Sequence, residues 1–109
     1  MKVEFDDPKL RRMAEDERKL VRSVGSGCAK RIRQRLVHLR AVDNVLDLKE
    51  LPGKWHALEA DRSEQWSADL EQPLRLIIRA TPPVPRTATG GVDWARVERV
   101  TVVEIVDYH

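Results

Sequence analysis

The apolar period of this chain changes once, and that change dictates a two-layer fold. From residue 10 to residue 39 apolar side chains recur at helical spacing: Leu10, Met13, Leu20, Val21 and Val24, then Cys28, Ile32, Leu36 and Leu39. From Trp55 onward the period is two. Trp66, Ala68 and Leu70 alternate with Ser67 and Asp69, and Leu74, Leu76 and Ile78 alternate with Arg75, Ile77 and Arg79. The first period gives a helix one apolar stripe and the second gives a strand one apolar face. Each can bury its apolar side against the other, so the expected class is α+β: an antiparallel sheet with helices on one face.

Local signals punctuate this plan. Residues 3–5 read as a short strand. Asp7 and Pro8 supply an N-cap and a first helical residue. Gly25 ends that helix and Ser26 caps a second, which predicts an αα-hairpin. Pro52 and Gly53 close a connector over 41–53, and Glu71, Gln72 and Pro73 make a tight turn between two strands. The segment 81–91, TPPVPRTATGG, is excluded from the sheet by its prolines. Asp93 caps one helical turn, and residues 99–107 form a last strand, rich in Val and Ile, placed centrally. The 109 residues fit one domain, spanning 1–109.

Composition removes several classes. No apolar run is long enough to cross a bilayer, and the start, MKVEFDDPKL, lacks the apolar core of a signal peptide. The expected location is cytoplasmic, with no membrane partner. The single cysteine, Cys28, lies on a helical stripe and reads as core rather than as a thiol nucleophile.

Charge is unevenly spread. Residues 1–42 carry 12 Lys/Arg against 6 Asp/Glu and residues 43–109 carry 8 against 12, so the total of +2 divides into +6 and −4. A basic helical half suits an anionic partner such as nucleic acid. Arg31 and Arg33 of the second helix are candidate RNA contacts. A solvated helix surface laced with i,i+4 pairs accounts for the same residues. Strand alternation sends Arg75 and Arg79 to the face opposite the helices. There Arg75 either meets an anion or pairs with Asp69 across the hairpin.

Leu51-Pro52, His56-Ala57-Leu58, Asp61-Arg62, Gln65-Trp66-Ser67, Arg75-Leu76 and the closing Asp107-Tyr108-His109 occur in an order that resembles the RelE/ParE superfamily of type II toxins. The nearest branch is the HigB-like, or plasmid-maintenance killer, proteins. The resemblance spans essentially the whole chain. It implies a RelE-like fold and a ribosome-dependent mRNA endonuclease that needs no metal or other cofactor. It also implies a helix-turn-helix, HigA-like antitoxin as partner, with the ribosome and mRNA as targets. The implied catalytic residues are His56, Asp107, Tyr108 and His109, and the implied phosphate-binding residues are Arg62 and Arg75. One stretch departs from the pattern. Where family members have a basic turn with glycine at its second and sixth positions, this chain has Glu59-Ala60-Asp61-Arg62-Ser63-Glu64.

The residue types match the chemistry. RNA cleavage through the 2′-OH needs a base, a cation for the phosphorane-like transition state and an acid for the leaving 5′-oxygen. Histidine, with an unperturbed pKa of about 6.5, can fill either proton role. Arginine offers a permanently charged fork to phosphate, and tyrosine can stack on a splayed base. On this scheme His56 and His109 share the proton transfers and Asp107 orients one imidazole. Arg62 and Arg75 hold the phosphate, and Tyr108 positions the nucleotide. Two other functions fit the same fold: a ParE-type toxin acting on DNA gyrase, and a catalytically inactive RNA- or antitoxin-binding module.

Overall fold

The computed structural model describes residues 1–107. Its strands, β1 (Lys2–Phe5), β2 (His56–Ala57), β3 (Gln65–Asp69), β4 (Arg75–Ala80) and β5 (Arg99–Val106), form one sheet in the order β1-β5-β4-β3-β2. Helices α1 (Pro8–Glu15), α2 (Glu17–Val24) and α3 (Ser26–Ala41) follow β1 in sequence. The architecture is α+β, as the two periods require.

Three details differ from the sequence reading. The pair β1–β5 is parallel, so the sheet is mixed rather than wholly antiparallel. The expected αα-hairpin is three helices, because the first one breaks at Asp16. That residue is extended (φ −122°, ψ 106°), and its carboxylate accepts from the Arg18 and Lys19 amides, capping α2. A short aspartate can bond the backbone two or three residues on, and here that alternative wins over helix continuation. Finally, the connector 41–53 contains a 3-10 segment, Val45–Glu50, whose Val45 and Leu48 enter the core.

The core lies between the helices and one face of the sheet. From α3 come Cys28, Ile32, Leu36 and Leu39, and from the strands Trp66, Ala68, Leu76, Ile78, Val100 and Val102, all buried. Trp66 is the largest of these side chains. It meets Trp94 edge-to-face, with ring centroids 5.6 Å apart at 60°, and the Lys49 ammonium lies 5.5 Å from its ring centroid. Both geometries suit the ring quadrupole. Burial pushes the Cys28 thiol above its usual range, which makes a thiolate harder to form.

One charge is buried on the helical side. Arg35 is 4% exposed, and its Nε donates to the Asp69 carbonyl at 2.9 Å. Gly53 (φ +117°) lies against this guanidinium, where a Cβ would come within 2.6 Å of Nε, and its carbonyl accepts from the Asp69 amide at 2.7 Å. Arg35 therefore ties α3 to the end of β3 and to the approach to β2. Glycine is required at 53 both for its conformation and for space.

Candidate functional site

The side of the sheet away from the helices is assembled by pairing register. Residues directly opposite on antiparallel strands share a face. His56 stands opposite Ser67, Ser67 opposite Ile77, and Ile77 opposite Glu104. These four form one row across the open face. A β-bulge makes the row possible. Ile78 pairs with Val102 but Ile77 pairs with Glu104, leaving Val103 as the extra residue. Without it, strict alternation from Thr101 would send Glu104 toward the helices.

His56 is exposed, and its Nδ1 lies 2.7 Å from the Lys54 carbonyl. A carbonyl can only accept, so Nδ1 carries the hydrogen and Nε2 is the basic nitrogen of the neutral ring. That tautomer leaves Nε2 able to take a proton from a substrate hydroxyl.

Arg62 belongs to a short 3-10 turn, Ala60–Arg62, that precedes β3. Its guanidinium is 3.0 Å from Gln65 Oε1 and 3.4 Å from Glu104 Oε2. Gln65 is on β3 and Glu104 on β5, about 10 Å apart at twice the strand spacing. A group touching both must lie over β4, near Ile77. Ile77 and Ser67 are fully buried, so the cation is held above a dry floor in the row that begins with His56.

The segment carrying His56 and Arg62 is also where non-glycine residues take left-handed backbone angles: Lys54 (φ 51°), Ala60 (φ 53°) and Glu64 (φ 68°). Such conformations cost side-chain residues energy and collect at functional sites. Ala60 and Glu64 are the second and sixth residues of the turn, the positions at which the resembled family has glycine. Glu64 also has a local task. Its carboxylate accepts two hydrogen bonds from Arg86, at 2.6 and 3.1 Å, and this pins the 81–91 loop to the turn. Arg86 in return holds the Glu64 carboxyl below its usual range.

The open face is closely balanced in charge. Arg75 pairs with Asp69 directly across the hairpin at 3.1 Å. Arg79 pairs with Asp6 at 3.0 Å, Arg99 with Glu4 at 2.7 Å and Arg62 with Glu104 at 3.4 Å. A phosphate arriving here has to exchange with a carboxylate.

Of the residues singled out in the sequence, His56, Arg62, Arg75 and Arg79 share this face. Asp107 is exposed and follows the end of β5. Tyr108 and His109 lie outside the described residues. Arg31 and Arg33 are on α3, on the helical side of the sheet. Arg31 is exposed, and Arg33 pairs with Glu17 of α2 at 2.7 Å. They do not join the others. The sequence reading missed Glu104, because a bulge leaves no mark in alternation. It also missed Arg35, although its position three after Ile32 and four before Leu39 puts it on the buried stripe. Among the described residues, no cluster of three or more His, Cys, Asp or Glu is arranged to hold a metal ion, and no helix is long and apolar enough to cross a membrane.

The fold is similar to that of a YoeB/ParE toxin from Agrobacterium tumefaciens, with a TM-score of 0.61 and 14% sequence identity over the whole of both chains. At that identity the likeness is one of fold. No protein-family sequence model matches the chain, and no curated protein matches it by sequence.

Proposed function

We propose that this chain is the toxin of a type II toxin–antitoxin pair, of the HigB-like branch, and that it cleaves mRNA on the ribosome. The observation that carries the reading is the row on the open face. His56, with Nε2 as its basic nitrogen, begins the row that runs through Ser67 and Ile77, and the Arg62 cation reaches Glu104 at the other end of it, on a fold like that of a toxin. His56 Nε2 takes the proton of the 2′-OH. The freed oxygen attacks the adjacent phosphorus, and the leaving 5′-oxygen receives a proton from a second acid, assigned to His109. Arg62 and Arg75 carry the charge that builds on the phosphoryl oxygens. Asp107 and Tyr108 orient the imidazole and the nucleotide. The chain acts as one domain in the cytoplasm, its partner is a HigA-like antitoxin, and Arg31 contacts ribosomal RNA.

Inducible expression with mRNA 5′-ends mapped in the same cells tests this. Wild type gives growth arrest and new mRNA ends within reading frames, and His56→Ala or His109→Ala removes both. If both variants retain full cleavage, the scheme is wrong. One observation favours a second reading. Each open-face arginine is engaged by a carboxylate, as suits a toxin that binds a protein target such as DNA gyrase rather than RNA. Arrest without mRNA cuts selects that reading.

A further inference from the structure

The sheet is left open along part of one edge. β1 covers β5 only as far as the pair Phe5–Val102, and the last bond is Asp6 N–H to the Val102 carbonyl at 3.0 Å. Over 103–106 the outer edge of β5 has no strand beside it among the described residues, although Val103, Ile105 and Val106 have strongly strand-forming side chains. A free edge of this kind is a template for an added strand.

The edge opens into a groove of about 490 Å³ between β5 and the first two helices. Leu10 and Met13 of α1, Val24 of α2, Leu74, Val103 and Ile105 give it a largely apolar lining, with Asp7, Lys9, Ser23 and Glu104 as its polar residues. α1 itself buries no residue fully, so its apolar stripe faces this groove half-exposed. A second hollow adjoins the first and shares Lys9, Met13 and Ser23 with it. Four of its six lining residues are cations, Lys9, Arg12, Lys19 and Arg22, and none is acidic. Among the described residues these four have no carboxylate partner, in contrast to the arginines of the open face.

From this juxtaposition we infer that the 103–106 edge is a docking site for an extended, acidic segment of a partner protein. The segment lies along β5 where β1 stops. Its backbone bonds the free edge and alternate apolar side chains enter the groove. Its carboxylates meet Lys9, Arg12, Lys19 and Arg22. This is strand addition with specificity from pockets and charge. An RNA strand would satisfy the cations but has no use for an apolar groove or an open backbone edge, so the combination favours a peptide. The inference stands independently of RNA cleavage, since it uses none of the proposed catalytic residues.

The test uses the full chain, isotope-labelled for backbone amide spectra. Three probes are titrated: a ten-residue peptide alternating valine or leucine with glutamate, the same peptide with lysine for glutamate, and an eight-nucleotide oligouridylate. The glutamate peptide is expected to shift the amides of 103–106 and of Leu10, Met13 and Val24. It should slow hydrogen exchange across 103–106, as strand pairing requires. Lys9→Glu/Arg12→Glu and Lys19→Glu/Arg22→Glu, all at exposed positions, should each weaken it at least about tenfold with unchanged circular dichroism. Equal binding of the lysine peptide, shifts confined to other surfaces, binding of the oligouridylate alone, or no binding of either peptide would each overturn the proposal.

Discussion

The two faces of one sheet, built from alternate residues of the same strands, are held together by different forces. Toward the helices Trp66, Leu76, Ile78, Val100 and Val102 bury apolar area, a force without direction that grows with contact. On the other side Arg62, Arg75, Arg79 and Arg99 are matched to Glu104, Asp69, Asp6 and Glu4. Those pairs depend on direction, solvent and pH, and exposed ones contribute little. The covered face supplies the stability. The open face can be rearranged at small cost.

Substitutions on the two sides should therefore differ severalfold. Trp66→Ala, on the covered side, is expected to cost about 3–5 kcal/mol in urea unfolding. A loss below about 1 kcal/mol would mean that the core is not where stability resides. A double-mutant cycle on Arg75 and Asp69, whose side chains are 12% and 21% exposed, should give a coupling of about 1 kcal/mol. The same cycle on the more exposed Arg79 and Asp6 should give a few tenths, roughly. If the two couplings are equal, exposure does not grade the open face. Ala60→Gly should raise stability by about 0.5–1 kcal/mol, since glycine accepts a φ of 53° without strain. A loss instead would show that the turn is not strained.

The smallest expected effect is in pH. A hydrogen bond from Arg99, aided by its charge, holds the Glu4 carboxyl below its ordinary 4.5, and Arg86 does the same for Glu64. A carboxyl with a depressed folded-state pKa adds stability that is fully present above the unfolded pKa and is lost as pH falls through the folded one. Stability should thus begin to fall below about pH 4.5, and the slope should flatten in Glu4→Gln and Glu64→Gln. Unchanged pH profiles in both variants would remove these two pairs from the account.

What the sequence made legible follows from the range of each signal. The β3–β4 hairpin, the start at Asp7-Pro8 and the stripe Cys28, Ile32, Leu36 and Leu39 were all readable, because each is set by neighbours within a few residues. The break at Asp16 was not, because a helix-interior aspartate and a capping aspartate look alike until the backbone chooses. The parallel pairing of β1 with β5 joins residues almost a hundred apart, and no local pattern records it. The site divides the same way. Alternation brought Arg75 and Arg79 to the open face and also allowed the Asp69 pairing that the structure contains. The placement of Arg62 over β4 needed Glu104, and Glu104 needed the bulge.

The extra residue at Val103 acts as a parity switch. Every position of β5 before it is assigned to a face by odd or even count from Thr101, and every position after it by the opposite count. Flattening the bulge with Val103 kept, so that Val103 paired with Ile77, would shift no contact in the first half of the strand, yet it would exchange the cargo of the second half. Glu104 would turn into the core opposite Leu76, and Val103 would take its place beneath Arg62. A homologue that straightened the strand here could keep the fold and each of the named side chains while presenting a different surface. In comparing relatives of this chain, the pairing of the segment between Val102 and Glu104 therefore carries as much information as the identity of the residues beyond it.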